Sequence, residues 1–456
     1  MTEENRELTR RELLKRAGVG AAAVGLGGTA GAGKAFGFAG PHKYKGRWLK
    51  NDLKILQWVH FVPDYNDFLK NDWTVKWGQA NDTQVTLDLV NNTELAARAA
   101  AEVAAQSGHD LFMFLNPRAD LEDQVINHAS IVQEVQRKVG KQGVVGRKST
   151  YNPKTKKYHG FSDNYVPDPV VWRHDLWNDI GESPATWEHV RKAAPKLKAR
   201  GNPIGIGMSN ELDSDMALIA FLQCYGGFIQ NQDGKVTINS KGTIEALKTM
   251  KDIYENGMTN EIFGWNPASN NQFLYSGKGS LILNAISATR TPEDLNLPFA
   301  DKLWIWPIPR GPHMRLGLQH VMGVYEIWKF AQNKTGAQKY LADMAINYQQ
   351  HFTASKFYNF PAFPGAVKNI QKQLAQDKHK PLGKYTVLGK IASKYTANLG
   401  YPGYSNAAVS EIFNTFLVPQ MFAEVAQGKS SPQDAARSAQ NAMQDIFRKW
   451  KDAKKI

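Results

Sequence analysis

Two prolines, Pro167 and Pro169, bracket Asp168 inside the stretch Tyr158–Trp177, YHGFSDNYVPDPVVWRHDLW. Proline fixes its own φ and pushes the preceding residue out of the helical region, so Asp168 is held extended. The approach is aromatic and polar, and the exit, Val170-Val171-Trp172, is β-prone. Such a segment can leave one packed body and enter another without collapsing into either. It is expected to be a crossing between two lobes. Its approach side, through Tyr165, should line a cleft, and its exit strand should build the second lobe.

A chain of 456 residues, 42% of them hydrophobic, has core enough for two or three domains. The formal net charge is +14, and the first 40 residues, with six basic and four acidic side chains, leave about +12 on the rest. The lysines are spread along the chain, without a basic helix or an aromatic RNA-binding signature, so a nucleic-acid partner is not expected. A solvated surface, or adhesion to an anionic envelope or ligand, fits better. The single cysteine, Cys224, excludes internal disulfides and cysteine-rich metal sites and reads as a small buried hydrophobe.

Thr9-Arg10-Arg11-Glu12-Leu13-Leu14-Lys15, followed by a weakly apolar Gly/Ala run from Ala17 to Ala32, resembles a twin-arginine export signal. Residues 1–40 are assigned to this leader, with Ala30-Gly31-Ala32 or Ala39-Gly40 as cleavage site. The run is too short and glycine-rich for an ordinary membrane span, although an uncleaved signal would tether the protein. No cysteine follows it, which excludes a lipid anchor there. The expectation is a periplasmic or extracytoplasmic protein that is not a lipoprotein.

Leu53–Val59 reads as a strand leading to a helical stretch with Leu69, Trp73 and Trp77 four apart. Val85, Leu87 and Leu89 alternate as in a strand with unlike faces, and Asn91-Asn92-Thr93 offers caps to an alanine-rich helix over Glu94–Gln106. Asp110–Leu115 is a continuous apolar strand of the buried parallel kind. This order implies a right-handed parallel α/β sheet with ligands beyond its carboxyl ends, so Trp58–His60, Asn91–Thr93 and Phe114–Pro117 fall on one rim. Further on come a helix capped by Thr186, a strand at Pro203–Met208 and a long apolar helix from about Asp215 to Tyr225. A helix over Thr243–Asn256, a strand at Ser280–Asn284, an edge strand from Trp304, a strand from Val321 and a helix over Gly336–Phe352 follow. The chain ends in an amphipathic helix from Gln433.

Several pieces recur in a fixed order: Ser107-Gly108-His109-Asp110, Val170–Asp175 leading to Pro184-Ala185-Thr186-Trp187, and Tyr225-Gly226-Gly227. Gly234–Ser240 (GKVTINS), Gly277-Lys278-Gly279-Ser280-Leu281 and Pro307–Pro312 complete them. In that order, over about residues 50 to 450, the chain resembles the family 1 extracellular solute-binding proteins of ABC importers, the group of the maltodextrin-binding proteins. The resemblance implies a two-lobed periplasmic-binding-protein fold, type II-like, with three inter-lobe crossings and the ligand between the lobes. Lobe 1 is expected at 50–165 plus 326–362 and lobe 2 at 166–325 plus 363–456. It implies a monomer that delivers a mono- or oligosaccharide to ABC permease subunits, with no cofactor, no metal and no catalysis. A twin-arginine leader without a lipobox cysteine departs from the usual export route of that family.

A sugar site needs aromatic faces for the ring and planar polar groups for the hydroxyls. Trp58 and His60 stand just past the first strand, although Trp58 serves equally as a core residue at a strand end. Phe114 and Asn116 end the third strand; Phe114 fits a core and Asn116 fits a ligand. Tyr165 is preferred to Trp172 at the crossing. Asp213 and Asp215 open the long apolar helix at a place that faces the cleft in the family, with helix capping as the plain alternative for one of them. Trp265, in Gly264-Trp265-Asn266-Pro267, is expected to stand exposed as a stacking platform. Asn284 and Ser287 follow a strand at a family contact position, and Phe360 and Tyr404 lie near the third crossing and a later loop.

The chain carries no G-x-S-x-G, H-E-x-x-H or C-x-x-C, and Gly428-Lys429-Ser430 lacks the upstream glycine of a phosphate loop. A dinucleotide-like glycine pattern at Gly25–Ala30 falls in the leader with no strand before it. Paired glycosidase carboxylates are not singled out by sequence. Two alternatives therefore stay open: the same fold holding a non-sugar or anionic solute, and a secreted carbohydrate-active enzyme.

Overall fold

The computed structural model describes residues 50–456, together with the backbone of a short hairpin, Lys43–Tyr44 against Arg47–Trp48. The arginine pair, the apolar run and both cleavage motifs lie outside the described residues. The strands of the two main sheets are β1 (Asn51–Trp58), β2 (Thr83–Val90), β3 (Leu111–Phe114), β4 (Phe161–Pro167), β5 (Val170–Arg173) and β6 (Ile204–Gly205). They continue with β7 (Leu281–Leu283), β8 (Leu303–Trp306), β9 (Gly317–Ile327), β10 (Phe360–Pro361) and β11 (Thr396–Ala397). One sheet runs β10-β4-β9-β3-β1-β2, with β11 beside the start of β9; the other runs β6-β7-β5-β8.

β1, β2 and β3 are parallel, as the alternation of apolar strands and helices requires. Trp58 pairs with Val90 and Leu56 with Phe112, so the three carboxyl ends finish level and form the expected rim. Pro63–Phe68, Leu69–Trp73 and Thr74–Ala80 make one continuous helical run, and the four-residue spacing buries Leu69, Trp73 and Trp77. Asn91 accepts a hydrogen bond from the Thr93 amide at the head of the next helical turn.

The double proline separates two sheets. β4 pairs with β9 and β10 in the first sheet, and β5, two residues further on, pairs with β7 and β8 in the second. β9 crosses back: Gln319 lies opposite Pro167, and Val324–Ile327 lie against Phe114–Leu111. Its register with β4 is irregular between Gln319 and Met322 and again between Gly323 and Val324, where the strand passes from one body to the other. The third connection places Phe360 beside Tyr165. The architecture is mixed α/β in two lobes.

Trp187–Ala199, Lys241–Gly257, Leu417–Ala426 and Pro432–Asp452 pack on one another, and the Leu212–Cys224 helix lies between this group and β9. Thr186 caps its helix as expected, and Ser240 caps Lys241–Gly257 by accepting from the Thr243 amide. Three local expectations are corrected. Pro203–Met208 narrows to Ile204 and Gly205, paired with Leu281 and Ile282, and Gly207 beyond them lies close to Ser214 and the Trp265 ring. The apolar helix begins at Leu212, three residues early, because Glu211 and not Asp213 or Asp215 caps it. The helix expected over Gly336–Phe352 breaks at Asn347 into Lys334–Ile346 and Tyr348–Ala354.

The lobes are in contact away from the crossings. Ser410 Oγ donates to Pro117 O (3.0 Å), Lys148 Nζ to Pro402 O (2.6 Å) and Asn152 Nδ2 to Lys455 O (3.0 Å). Lys356 Nζ reaches Asp64 (2.9 Å) on the first lobe and Asp294 (2.8 Å) on the second. Of the expected rim residues, Trp58, His60 and Phe114 are buried, while Asn91 and Thr93 are exposed. No helix among the described residues is long and apolar enough to cross a membrane.

Candidate functional site

Asp168 sits at the first crossing, His320 on β9 at the second, and Asp213 in the first turn of the Leu212–Cys224 helix. The fold brings them together: His320 Nδ1 is 3.3 Å from Asp168 Oδ1 and Nε2 is 3.5 Å from Asp213 Oδ1. Asn270 Nδ2 donates to the other Asp213 oxygen at 2.8 Å. Asp168 is 1% exposed, and neither of its oxygens has a hydrogen-bond partner. Its contact with His320 is an ion-pair distance without hydrogen-bond alignment, so the attraction is real and the hydrogen-bonding capacity is unspent.

Burial alone would lower the His320 pKa, but Asp213 and Asp168, followed by Glu211, outweigh it and hold the imidazole above its ordinary value. Burial lifts the Asp213 carboxyl, against the pull of His320 and the Asn270 bond. Glu211 caps the helix through the Asp213 and Ser214 amides; burial and the neighbouring Asp213 charge push its carboxyl up to about 8. Tyr358, at the approach to the third crossing, is fully buried; burial, then the Asp213 and Asp168 charges, raise its phenol. All three crossings and one helix N-terminus thus converge on a single polar cluster.

The rim residues stand as follows. Trp58 is buried, stacked on His60 (centroids 4.8 Å, 27°), and its Nε1 has no partner. His60 Nδ1 accepts from the Val62 amide, which leaves Nε2 to donate to Asn359 Oδ1 at 3.2 Å. Burial depresses His60 to about 4, so the ring is neutral. It meets Tyr358 edge-on at 4.9 Å, which joins this aromatic group to the polar cluster. Asn116 is half-buried, and its side-chain nitrogen has only a 3.5 Å contact with Pro117 O. Asn284 donates to Asn271 (2.8 Å), and Ser287, buried, opens the Ser287–Asp294 helix.

Other expected residues lie elsewhere. Trp265 is corrected from an exposed platform to a buried side chain: it packs on Phe273 (5.4 Å), and a Cβ on Gly205 would come within 2.7 Å of its ring. The glycines of Gly205-Ile206-Gly207, not solvent, explain that tryptophan. Phe114 stacks on Phe112 (4.6 Å) in the core, with the Arg118 guanidinium over its ring. Asp215 is fully buried within its helix, and burial, then Glu211, holds it well above the carboxylate range. Tyr165 donates its hydroxyl to Ala392 O (3.2 Å). Tyr165 and Phe360 line a separate cavity of about 730 Å³ with Val144, Lys148, Asn398 and Tyr401, to which none of the cluster residues contributes. Tyr404 lies between Lys148 and Tyr151, where the later loop meets the first lobe.

Sequence reading missed His320, Asn270, Glu211 and Tyr358. His320 stands in an apolar strand and reads as a satisfied core histidine. Asp168 was noticed for its backbone, yet its position at a crossing was also the signal for its side chain.

Two α/β lobes joined by three crossings, with a buried polar cluster where the crossings meet, are the architecture of the two-lobed binding proteins. The chain belongs to the bacterial extracellular solute-binding protein family, whose model matches residues 63–368. A protein of Brucella abortus (strain 2308), described as a candidate binding protein, is 27% identical over 179 residues. That match takes in 38% of this chain and 43% of the relative, less than half of the curated protein's length. Among solved structures, a sugar transporter protein of Arthrobacter chlorophenolicus A6 with bound laminaribiose superposes with a TM-score of 0.72 at 14% identity. That superposition covers 87% of this chain and 99% of the other. Maltose-bound MalE3 of T. maritima has a TM-score of 0.71 at 17% identity, over 87% of this chain and all of that one (100%). A ribitol complex of an ABC transporter solute-binding protein from Agrobacterium radiobacter K84 has a TM-score of 0.70 at 15% identity, over 87% and 99%. At such identities the likeness is one of fold.

Proposed function

We propose that this protein captures a mono- or oligosaccharide between its lobes and delivers it to an ABC importer. The observation that carries the reading is Asp168, a buried carboxylate at the crossing whose oxygens lack donors. Leaving such a group unsatisfied costs about 1–3 kcal/mol or more, and the vicinal hydroxyls of a sugar supply the missing donors. Trp58, His60 and Tyr358 offer aromatic surface beside it, and Asn116, Asp213, Asn270, Asn284 and Ser287 offer polar groups from both lobes. The solved neighbours carry laminaribiose, maltose or ribitol, all polyhydroxylated, which favours the same class here. An acidic floor opposes an anionic solute, despite the basic surface.

We place the crossings at Pro167–Pro169, Gly317–Val321 and Tyr358–Asn359. Lobe 1 then takes residues 50–165 with the later part of β9 and 326–362, and lobe 2 takes the remainder up to 456. The second boundary accordingly falls a few residues before the 325/326 division expected from sequence. The working form is a monomer, exported by the twin-arginine route without a lipid anchor, and it binds without turnover.

A thermal-shift and calorimetric screen of the purified chain lacking residues 1–40, against neutral sugars, uronates and polyols, tests this. The expected outcome is a one-to-one shift with a subset of neutral sugars and an unchanged ligand recovered afterwards. Hydrolysed oligosaccharide would transfer the protein to the carbohydrate-active enzymes, and a shift with uronates alone would overturn the neutral-sugar reading.

A further inference from the structure

In the buried cluster at the crossings, acidic side chains outnumber basic ones. Among the described residues, two carboxylates, Asp168 and Asp213, share a single imidazole, and neither has a lysine or arginine within ion-pair distance. Asp168 and His320 are 1% and 2% exposed, so water does little to screen the pair. Three polar atoms at this floor are buried and unpartnered: both Asp168 oxygens and His320 Nδ1. Beside them the Tyr358 hydroxyl also lacks a hydrogen-bond partner, and its ring stands edge-on to His60 at 4.9 Å. His60 in turn stacks on Trp58. A buried carboxylate whose oxygens accept no aligned hydrogen bond, and whose ionic neighbour among the described residues is an imidazole it shares with Asp213, attracts a cation more strongly than a neutral donor.

We propose that the solute carries a protonated amine, as an amino sugar or aminated polyol does, and that Asp168 receives the ammonium. This rests on the carbohydrate reading above and narrows it. The ammonium donates to the Asp168 oxygens left free by His320, and the remaining hydroxyls address Asp213, Asn270 and the rim amides. A neutral sugar could satisfy the same oxygens through hydroxyl donors, but it brings no charge to set against a carboxylate that shares its imidazole with Asp213. Closing the lobes over that excess charge costs more than closing over a neutralised one.

Matched ligands separate the possibilities. Calorimetry compares the glucosamine disaccharide of β-1,4 linkage with cellobiose, its hydroxyl counterpart, and with the N-acetylated form, which has the same nitrogen without the charge. The expected result is that the free amine binds tighter than both by about tenfold or more, the contribution of one charge-assisted hydrogen bond in a dry site. The advantage should shrink when the pH is raised enough to deprotonate the amine. In Asp168→Asn the ratio of amine to cellobiose affinity should fall to about one, whatever affinity for cellobiose itself is lost with the carboxylate. Circular dichroism and the melting temperature of the ligand-free variant establish that it is folded. His320→Gln, which removes the competing cation, should widen the amine preference, giving a second readout independent of the first variant.

Cellobiose binding as tightly as the diamine, or an Asp168→Asn variant with the preference intact, would overturn the charge proposal and leave the carbohydrate reading standing. Binding of simple polyamines but of no sugar at all would remove the carbohydrate reading and keep the charge. The absence of binding by every member of the set would remove both.

Discussion

At the scale of single residues, the cleft floor makes stability depend on pH in one direction. Glu211 is held up to about 8 from an ordinary 4.5, so the folded state keeps a proton that the unfolded chain releases. Its contribution is therefore complete below pH 4.5 and lost as the pH rises through about 8. His320, raised above 6.5 by its carboxylate neighbours, acts with the same sign: its stabilisation is lost as the pH rises through its folded value. The ligand-free protein should melt progressively lower between pH 5 and 8. Glu211→Gln, which keeps an acceptor for the helix amides, should flatten part of that slope, and His320→Gln part of what lies above 6.5. Melting curves across this range check the prediction; a melting temperature that rises with pH would contradict the environments described for both groups.

At the scale of elements, the approach to the third crossing is bound to both lobes. Lys356 and Phe357 both have positive φ (52° and 68°), an uncommon backbone for residues with side chains. The Lys356 carbonyl accepts from the buried Arg290 guanidinium of the second lobe, while its ammonium joins Asp64 to Asp294. With Asp64 largely exposed, the bridge is a screened one. Lys356→Met should weaken apparent ligand affinity by about twofold to fivefold at low salt, the range expected of exposed pairs, and by less at high salt. Calorimetry at two ionic strengths measures it, and a salt-independent loss would mean that the side chain acts through packing. Elements of this kind were only partly legible. Strand periodicity located β1, β2, β3, β5 and β9, and Thr186 and Ser240 announced their helices. The Lys356 turn carries no glycine or proline, so nothing local marks it.

At the scale of the whole molecule, closure and capture are one equilibrium: a solute shifts it only by binding the closed form better than the open one. Inter-lobe contacts such as Ser410 to Pro117 and Asn152 to Lys455 already exist in this arrangement, so closure needs no refolding. A ligand at 100 times its dissociation constant should add about 2.7 kcal/mol of stability and raise the melting temperature accordingly. Small-angle scattering should show the radius of gyration falling on addition of that ligand. A stabilised protein of unchanged radius would mean that the free form is already closed in solution.

What the sequence alone determined were the features that depend on neighbouring residues. The proline pair forced an extended crossing, the apolar alternation set a parallel sheet, and level strand ends put Trp58, His60 and Asn116 on one rim. Long-range packing decided the rest. Trp265 looked exposed because Gly, Asn and Pro surround it in the chain, yet Gly205 and Gly207, sixty and fifty-eight positions earlier, open the space it fills. Asp168, Asp213 and His320 are each ordinary in their own segments. They become a charged floor only where two sheets and a helix end meet, because burial and shared neighbours, not residue type, determine what a carboxylate can bind.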